Sequence, residues 1–90
     1  MTEKEKLGQE FKRIRENIPS KEYNGKPISQ QELADSSTGV TKHFIGTIER
    51  GEANPTLEKI FYLAKSLNLK TVSILNVEIN VEKFIKEIDK

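Results

Sequence analysis

Ninety residues suit a single small domain, and a chain of that length buries only about 60% of the surface its unfolded form exposes. Apolar residues make up 34% of it and charged residues 32%, while the absence of cysteine and a lone histidine exclude disulfides and any familiar zinc site, so neither a metal nor a cofactor is expected. Fifteen basic against fourteen acidic residues leave a net charge of +1, so attraction to nucleic acid would have to come from the placement of charge and not from its total.

The chain opens with MTEKEKLGQEF, which lacks the apolar core of a signal peptide, and its longest apolar runs are far shorter than a membrane span. A cytoplasmic protein with no membrane partner is the expectation. Thr2 and Glu5 have capping-box spacing and start a helix over Thr2–Asn17. Leu7, Phe11, Ile14 and Ile18 recur at helical intervals as its buried stripe, and Pro19 stops it. Residues 20–27, SKEYNGKP, form a loop with a turn at Asn24-Gly25. Ser29 and Glu32 give a second capping box, for a helix that buries Leu33 and Ala34. Gly39 supplies a turn, Thr41 caps a third helix running to Arg50, and Gly51 ends it. Thr56 caps a fourth helix, with Leu57, Ile60, Phe61, Ala64 and Leu67 as its apolar stripe. Thr71 caps a short fifth helix through Leu75. The alternation of Val77, Ile79 and Val81 suggests extended chain, and Val81, Phe84, Ile85 and Ile88 suit an amphipathic helix over Asn80–Lys90.

The helix from Thr41 to Arg50 has two chemically different sides. With Ile45 as the origin and steps of about 100° per residue, Ile48 and Thr41 fall near it, with Phe44 on the flank. His43, Gly46, Thr47 and Arg50 lie on the opposite side, with Lys42 at the edge. That outer face offers donors and small residues and carries no free carboxylate, and the helix N-terminus adds a dipole that favours phosphate. Gly46 costs about 1 kcal/mol inside a helix, which implies a close approach either of DNA or of the preceding helix. A plain helical bundle with a solvated polar face has the same pattern.

Residues 29–69 resemble the Cro/phage-repressor, or XRE-like, family of helix-turn-helix domains. The matching pieces are SQQELA at Ser29–Ala34, GVT at Gly39–Thr41, and IGTIERGEANPTLEKIFYLAKSLNL from Ile45 to Leu69; LGQEFKRIRE, Leu7–Glu16, is similar to the family's first helix. The resemblance implies an all-α fold: a five-helix repressor-like DNA-binding domain with a helix-turn-helix, plus a short C-terminal amphipathic segment. Residues 1–75 would be the DNA-binding domain and residues 76–90 a C-terminal segment, with its helix a candidate for dimerisation. The family typically binds double-stranded DNA as a homodimer, on half-sites roughly 34 Å apart.

Carried over residue by residue, Gln30 matches the family's phosphate-contacting glutamine. Thr41, Lys42 and His43 stand at the start of the recognition helix, with Thr47 one turn on. Arg50 and Asn54 flank the loop where the family commonly touches the DNA backbone. Arg15 matches a first-helix arginine that the family pairs with a glutamate late in the third helix, here Glu49. By angle Glu49 lies about 40° from Ile45 and points inward, where a carboxylate without a partner is strongly disfavoured. A structural Arg15–Glu49 ion pair is therefore expected.

Two features depart from the family pattern. Thr38 is one residue more than the usual spacing between Ala34 and Gly39, and the segment between Arg15 and Gln30 is several residues longer than usual. The long loop is a solvated excursion, a DNA-backbone contact through Lys21 or Lys26, or a partner contact through Tyr23. The leading reading is a sequence-specific DNA-binding transcriptional regulator, with repression as the default role because occupancy suffices. Controller proteins of restriction systems and antitoxins share the architecture. The alternative is a protein-interaction module of the antitoxin type, with residues 20–27 or the C-terminal segment meeting the partner. An enzyme is not expected: the carboxylates are scattered, the histidine has no evident nucleophile, and no phosphate loop is present.

Overall fold

The computed structural model describes residues 1–88 of the chain. Its first four helices begin where a hydroxyl side chain accepts a bond from an otherwise unpaired backbone N–H. Helix α1, Glu3–Glu16, is capped by Thr2, with Glu5 answering back to the Thr2 N–H at 2.9 Å. The Thr2 N–H, and then the Thr2 hydroxyl, hold the Glu5 carboxyl below its ordinary pKa. Helix α2, Gln30–Asp35, is capped by Ser29; α3, Lys42–Glu49, by Thr41; and α4, Leu57–Ser66, by Thr56. Gly39 and Gly51 take φ of 78° and 73°, which a side chain would resist, and so end or redirect the chain as anticipated.

One expected cap is only half formed. The Ser29 hydroxyl oxygen accepts from the Glu32 N–H at 3.0 Å, but the Glu32 carboxylate does not return to Ser29. It accepts instead from the Ser20 hydroxyl at 2.6 Å and the Lys21 N–H at 2.8 Å. A buried carboxylate in α2 thus ties down the long loop, and the loop is itself organised. Ser20 N–H donates to the Lys26 carbonyl at 2.8 Å, Ile28 N–H donates to the Ile18 carbonyl at 2.7 Å, and Pro19 and Pro27 face each other as an antiparallel bridge.

The first core cluster joins Ile28, Leu33, Val40, Ile45, Ile48, Leu63 and Leu67, with Phe11, Ile14 and Ile18 packed partly against it. Two expected stripe members are outside: Leu7 is 49% exposed and Leu57 46%. Gly8 occupies the α1–α3 crossing instead. A Cβ there would collide with the Ile48 carbonyl and stand 2.7 Å from the Glu49 carbonyl, so the two backbones approach more closely than side chains permit. In α4, Leu63 is buried beside Phe61 and Ala64.

The C-terminal quarter corrects the expected fold. Thr71 does not cap a helix. Strand β1, Thr71–Ile74, pairs antiparallel with β2, Val77–Asn80, in register Thr71↔Asn80 through Ile74↔Val77. Leu75 and Asn76, at φ 52° and 65°, make the two-residue turn. Both left-handed residues match a type I′ hairpin, whose usual Asn-Gly or Asp-Gly signature is missing here. The described chain is therefore predominantly helical with a small two-stranded sheet, not all-α. Its fifth helix is α5, Val81–Ile88, and the last two positions of the expected Asn80–Lys90 helix lie outside the described residues. Asn80 caps α5 through Oδ1, which accepts the Lys83 N–H at 2.9 Å.

The α5 stripe is used within the chain. Val81 and Ile85 are buried with Phe61 and Ala64, and Phe84 stacks on Phe61 with ring centroids 4.0 Å apart. Among the described residues no helix is long and apolar enough to cross a membrane.

Candidate nucleic-acid interface

Helix α3 presents its apolar side to the core and its polar side outward, because Ile45 and Ile48 are buried while Lys42 and His43 are exposed. A shallow cleft of about 300 Å³ lies between this outer face and the start of α2, lined by Gln30, Lys42, His43, Gly46 and Arg50. Five residues from two elements meet there, and none is a carboxylate.

A buried polar network sets the geometry beneath the cleft. Arg15 Nε and Nη2 donate to the two oxygens of Glu49 at 2.7 and 3.0 Å. Both side chains are under 10% exposed, at 9% and 6%. The remaining arginine reach is used by Nη1, which donates to the Ile28 carbonyl at 2.6 Å. The hydrogen bonds that Arg15 donates to Glu49 raise its pKa further above the ordinary value, so the guanidinium is charged at every accessible pH. Gln30 completes the set, its Nε2 donating to Glu49 Oε1 at 3.1 Å. One carboxylate at the end of α3 thus fixes α1, the entry to α2 and the side chain of Gln30 together.

Gly46 is buried, and its neighbours decide between the two approaches left open by the sequence. A Cβ there would meet Arg50 Nη1 at 3.0 Å and Gln30 Oε1 at 3.3 Å. The glycine is a notch in which two long polar side chains lie across α3. Sequence angles place Gly46 on the outer face but contain no information about what crosses it.

The structure does not gather every expected residue. Thr41 is exposed, and its hydroxyl oxygen caps α3 by accepting the Phe44 N–H at 3.1 Å. Thr47 is half-buried and donates its hydroxyl to the Phe44 carbonyl at 2.9 Å, along its own helix. Asn54 is exposed in the loop before α4 and does not line the cleft. Arg50 does line it, yet pairs with Glu52 at 2.8 Å, so the outer face has a carboxylate close by that the helical angles did not include. Both partners are more than half exposed, so this pair is weak and readily exchanged. A further cation was missed: Lys59 of α4 sits 5.3 Å from the Phe44 ring centroid, adding positive charge on the flank of α3. Only the flank position of Phe44 hinted at it.

Fold and cleft together describe a small, mainly helical protein that presents a polar, carboxylate-free groove across two capped helices. The chain is 42% identical over 48 residues to Control protein C.SmaI of Serratia marcescens, a match covering 53% of this chain and 56% of that protein. The chain thus spans about half the length of the curated relative it matches. This relationship stands with the Cro/phage-repressor (XRE-like) resemblance that the motifs carry. No protein-family model matches the chain, and no solved structure does.

Proposed function

We propose that the protein is a sequence-specific DNA-binding transcriptional regulator of the control-protein kind, with α2 and α3 acting as a helix-turn-helix. The observation that carries this reading is the cleft in which Gln30, Lys42, His43 and Arg50 converge over Gly46. In this reading α3 enters the major groove, Lys42 and His43 face base edges, and Gln30 and Arg50 hold phosphates. Thr41 and Thr47 stand at the groove wall, where their hydroxyl oxygens remain able to accept, and Asn54 meets the backbone beyond α3. Occupancy of an operator makes repression the default outcome in the cytoplasm.

The protein acts as a homodimer on two related half-sites. Because the α5 stripe is packed into the core, the apolar surface for self-association is the hairpin tip, where Leu75 is 92% and Val77 57% exposed. Residues 1–75 carry the reading surface, and within the C-terminal segment 76–90 the described α5 packs Val81 and Ile85 against α4.

Selection of bound sequences from random duplexes, followed by footprinting, tests the proposal. The expected product is a pseudo-palindrome with half-sites about one helical turn apart. Lys42→Ala should then lose about 1–3 kcal/mol and relax one operator position. An absence of binding even at low salt would overturn the reading in favour of a protein-interaction module.

A further inference from the structure

The loop between α1 and α2 is more ordered than a solvated excursion requires. It is closed on itself by the Ser20–Lys26 and Ile28–Ile18 backbone bonds, and Lys26 N–H donates to the Tyr23 carbonyl at 3.2 Å. The Ser20 hydroxyl oxygen accepts from the Glu22 and Tyr23 N–H groups at 3.1 and 3.0 Å, while its proton goes to Glu32. At the far end, Arg15 holds the Ile28 carbonyl. Arg15 and Glu32, both buried, therefore each clamp one end of this loop. A fixed loop loses little further entropy on binding, which is the condition under which surface contacts contribute to affinity.

The clamp leaves specific groups on the outside. Lys26 is exposed, Tyr23 is 63% exposed, and neither lysine of the loop belongs to an ion pair among the described residues. The two lysines face different surroundings. Lys21 bears on Glu32 and lines a pocket of about 310 Å³ with Lys65, Asn68 and Tyr62, near the C-terminal end of α4. Lys26 does not line that pocket. It stands three positions before the cap Ser29 and four before Gln30, which lines the α2–α3 cleft. Four chain steps span at most about 14 Å, or about four steps of one DNA strand at 3.4 Å each.

We infer that the clamped loop is a second DNA-backbone contact, in which the Lys26 ammonium and the Tyr23 hydroxyl hold phosphates flanking the base pairs read by α3. It rests on the DNA-binding reading above and extends that surface past Gln30. Such contacts carry no sequence information; they fix register and add affinity to any duplex. They also supply local positive charge that the overall balance of the chain does not.

The test is the salt dependence of binding to the selected operator and to a random duplex, for wild type, Lys26→Ala, Lys21→Ala and Tyr23→Phe. Losing one phosphate contact from lysine weakens binding to both duplexes alike and flattens the slope of log affinity against log salt by about 1. Lys26→Ala should do this, Tyr23→Phe should weaken both duplexes without changing the slope, and Lys21→Ala should behave as wild type. Thermal melts of the variants should match wild type, since all three side chains are exposed. A wild-type slope for Lys26→Ala, or equal flattening by Lys21→Ala and Lys26→Ala, overturns the loop contact while leaving the α3 reading intact. A wild-type protein that binds no duplex at low salt removes the reading itself.

Discussion

The two core clusters of this molecule are built from different interactions. Around α1, α2 and α3, apolar packing is joined by buried charge: Arg15 on Glu49, Gln30 on Glu49, Arg15 on the Ile28 carbonyl, and Glu32 on the 20–21 loop. Around α4, the hairpin and α5 the contacts are apolar, with Phe61, Phe84, Val81 and Ile85 at the centre. Hydrophobic contact is non-directional and holds elements together without fixing individual atoms. Hydrogen-bonded charge is directional, and a half-satisfied version of it is worse than none. The polar half of the molecule is also the half that carries the cleft, so the network is what keeps Gln30 in one place over α3.

The comparison is broken most severely by Glu49→Ala. It strands Arg15 and releases Gln30, and removing one partner of a buried pair typically costs about 3–5 kcal/mol. Denaturant melts should show a loss in that range, and a loss under about 0.5 kcal/mol would mean the pair is an ordinary surface contact. In the apolar half, Phe84→Ala removes the ring stacked on Phe61. A loss of about 2–3 kcal/mol is expected, below the usual 3–5 for a fully buried phenylalanine because this ring is partly exposed. Duplex affinity measured well below the melting temperature should fall for Glu49→Ala and hold for Phe84→Ala, which separates positioning from adhesion.

Glu32 gives a pH-dependent version of the same contrast. The Ser20 hydroxyl, and then the Lys21 N–H, hold its carboxyl below the ordinary value. A group whose native pKa is depressed contributes stability above its unfolded pKa and loses it as the pH falls through the native one. Wild type should therefore exceed Glu32→Gln in stability near neutral pH, and the gap should close in acid. A gap independent of pH would show that the carboxylate charge is not what holds the loop.

The smallest effect on stability, and the sharpest on function, belongs to Gly46→Ala. Alanine favours a helix by about 0.5–1 kcal/mol over glycine, and the atoms in its way are the ends of two flexible side chains. The melt should rise or stay level while binding to duplex DNA falls, because Gln30 and Arg50 are displaced from their seat. Wild-type affinity in this variant would show that the notch is dispensable.

Much of this was legible in the chain because it is local. Thr2, Ser29, Thr41 and Thr56 cap helices within three residues of themselves, Gly39 and Gly51 supply positive φ, and Ile45 and Ile48 repeat at the helical period. The inward angle of Glu49 follows from counting along one helix, although the partner it meets, 34 residues away, came only through the family resemblance. Other features depend on what lies across space. Thr71–Ile74 forms a strand because Val77–Asn80 returns beside it and α4 and α5 pack nearby, and its Leu75-Asn76 turn lacks the residues that announce a hairpin. Glu32 leaves its cap for Ser20, Leu7 gives way to Gly8, and Gly46 serves Gln30 and Arg50, each because a neighbour distant in the chain offers a closer fit. Backbone caps and periodicity act over one or two turns and are written in consecutive residues; the partner of a buried charge and the side chain that fills a notch are chosen by packing, which consecutive residues do not contain.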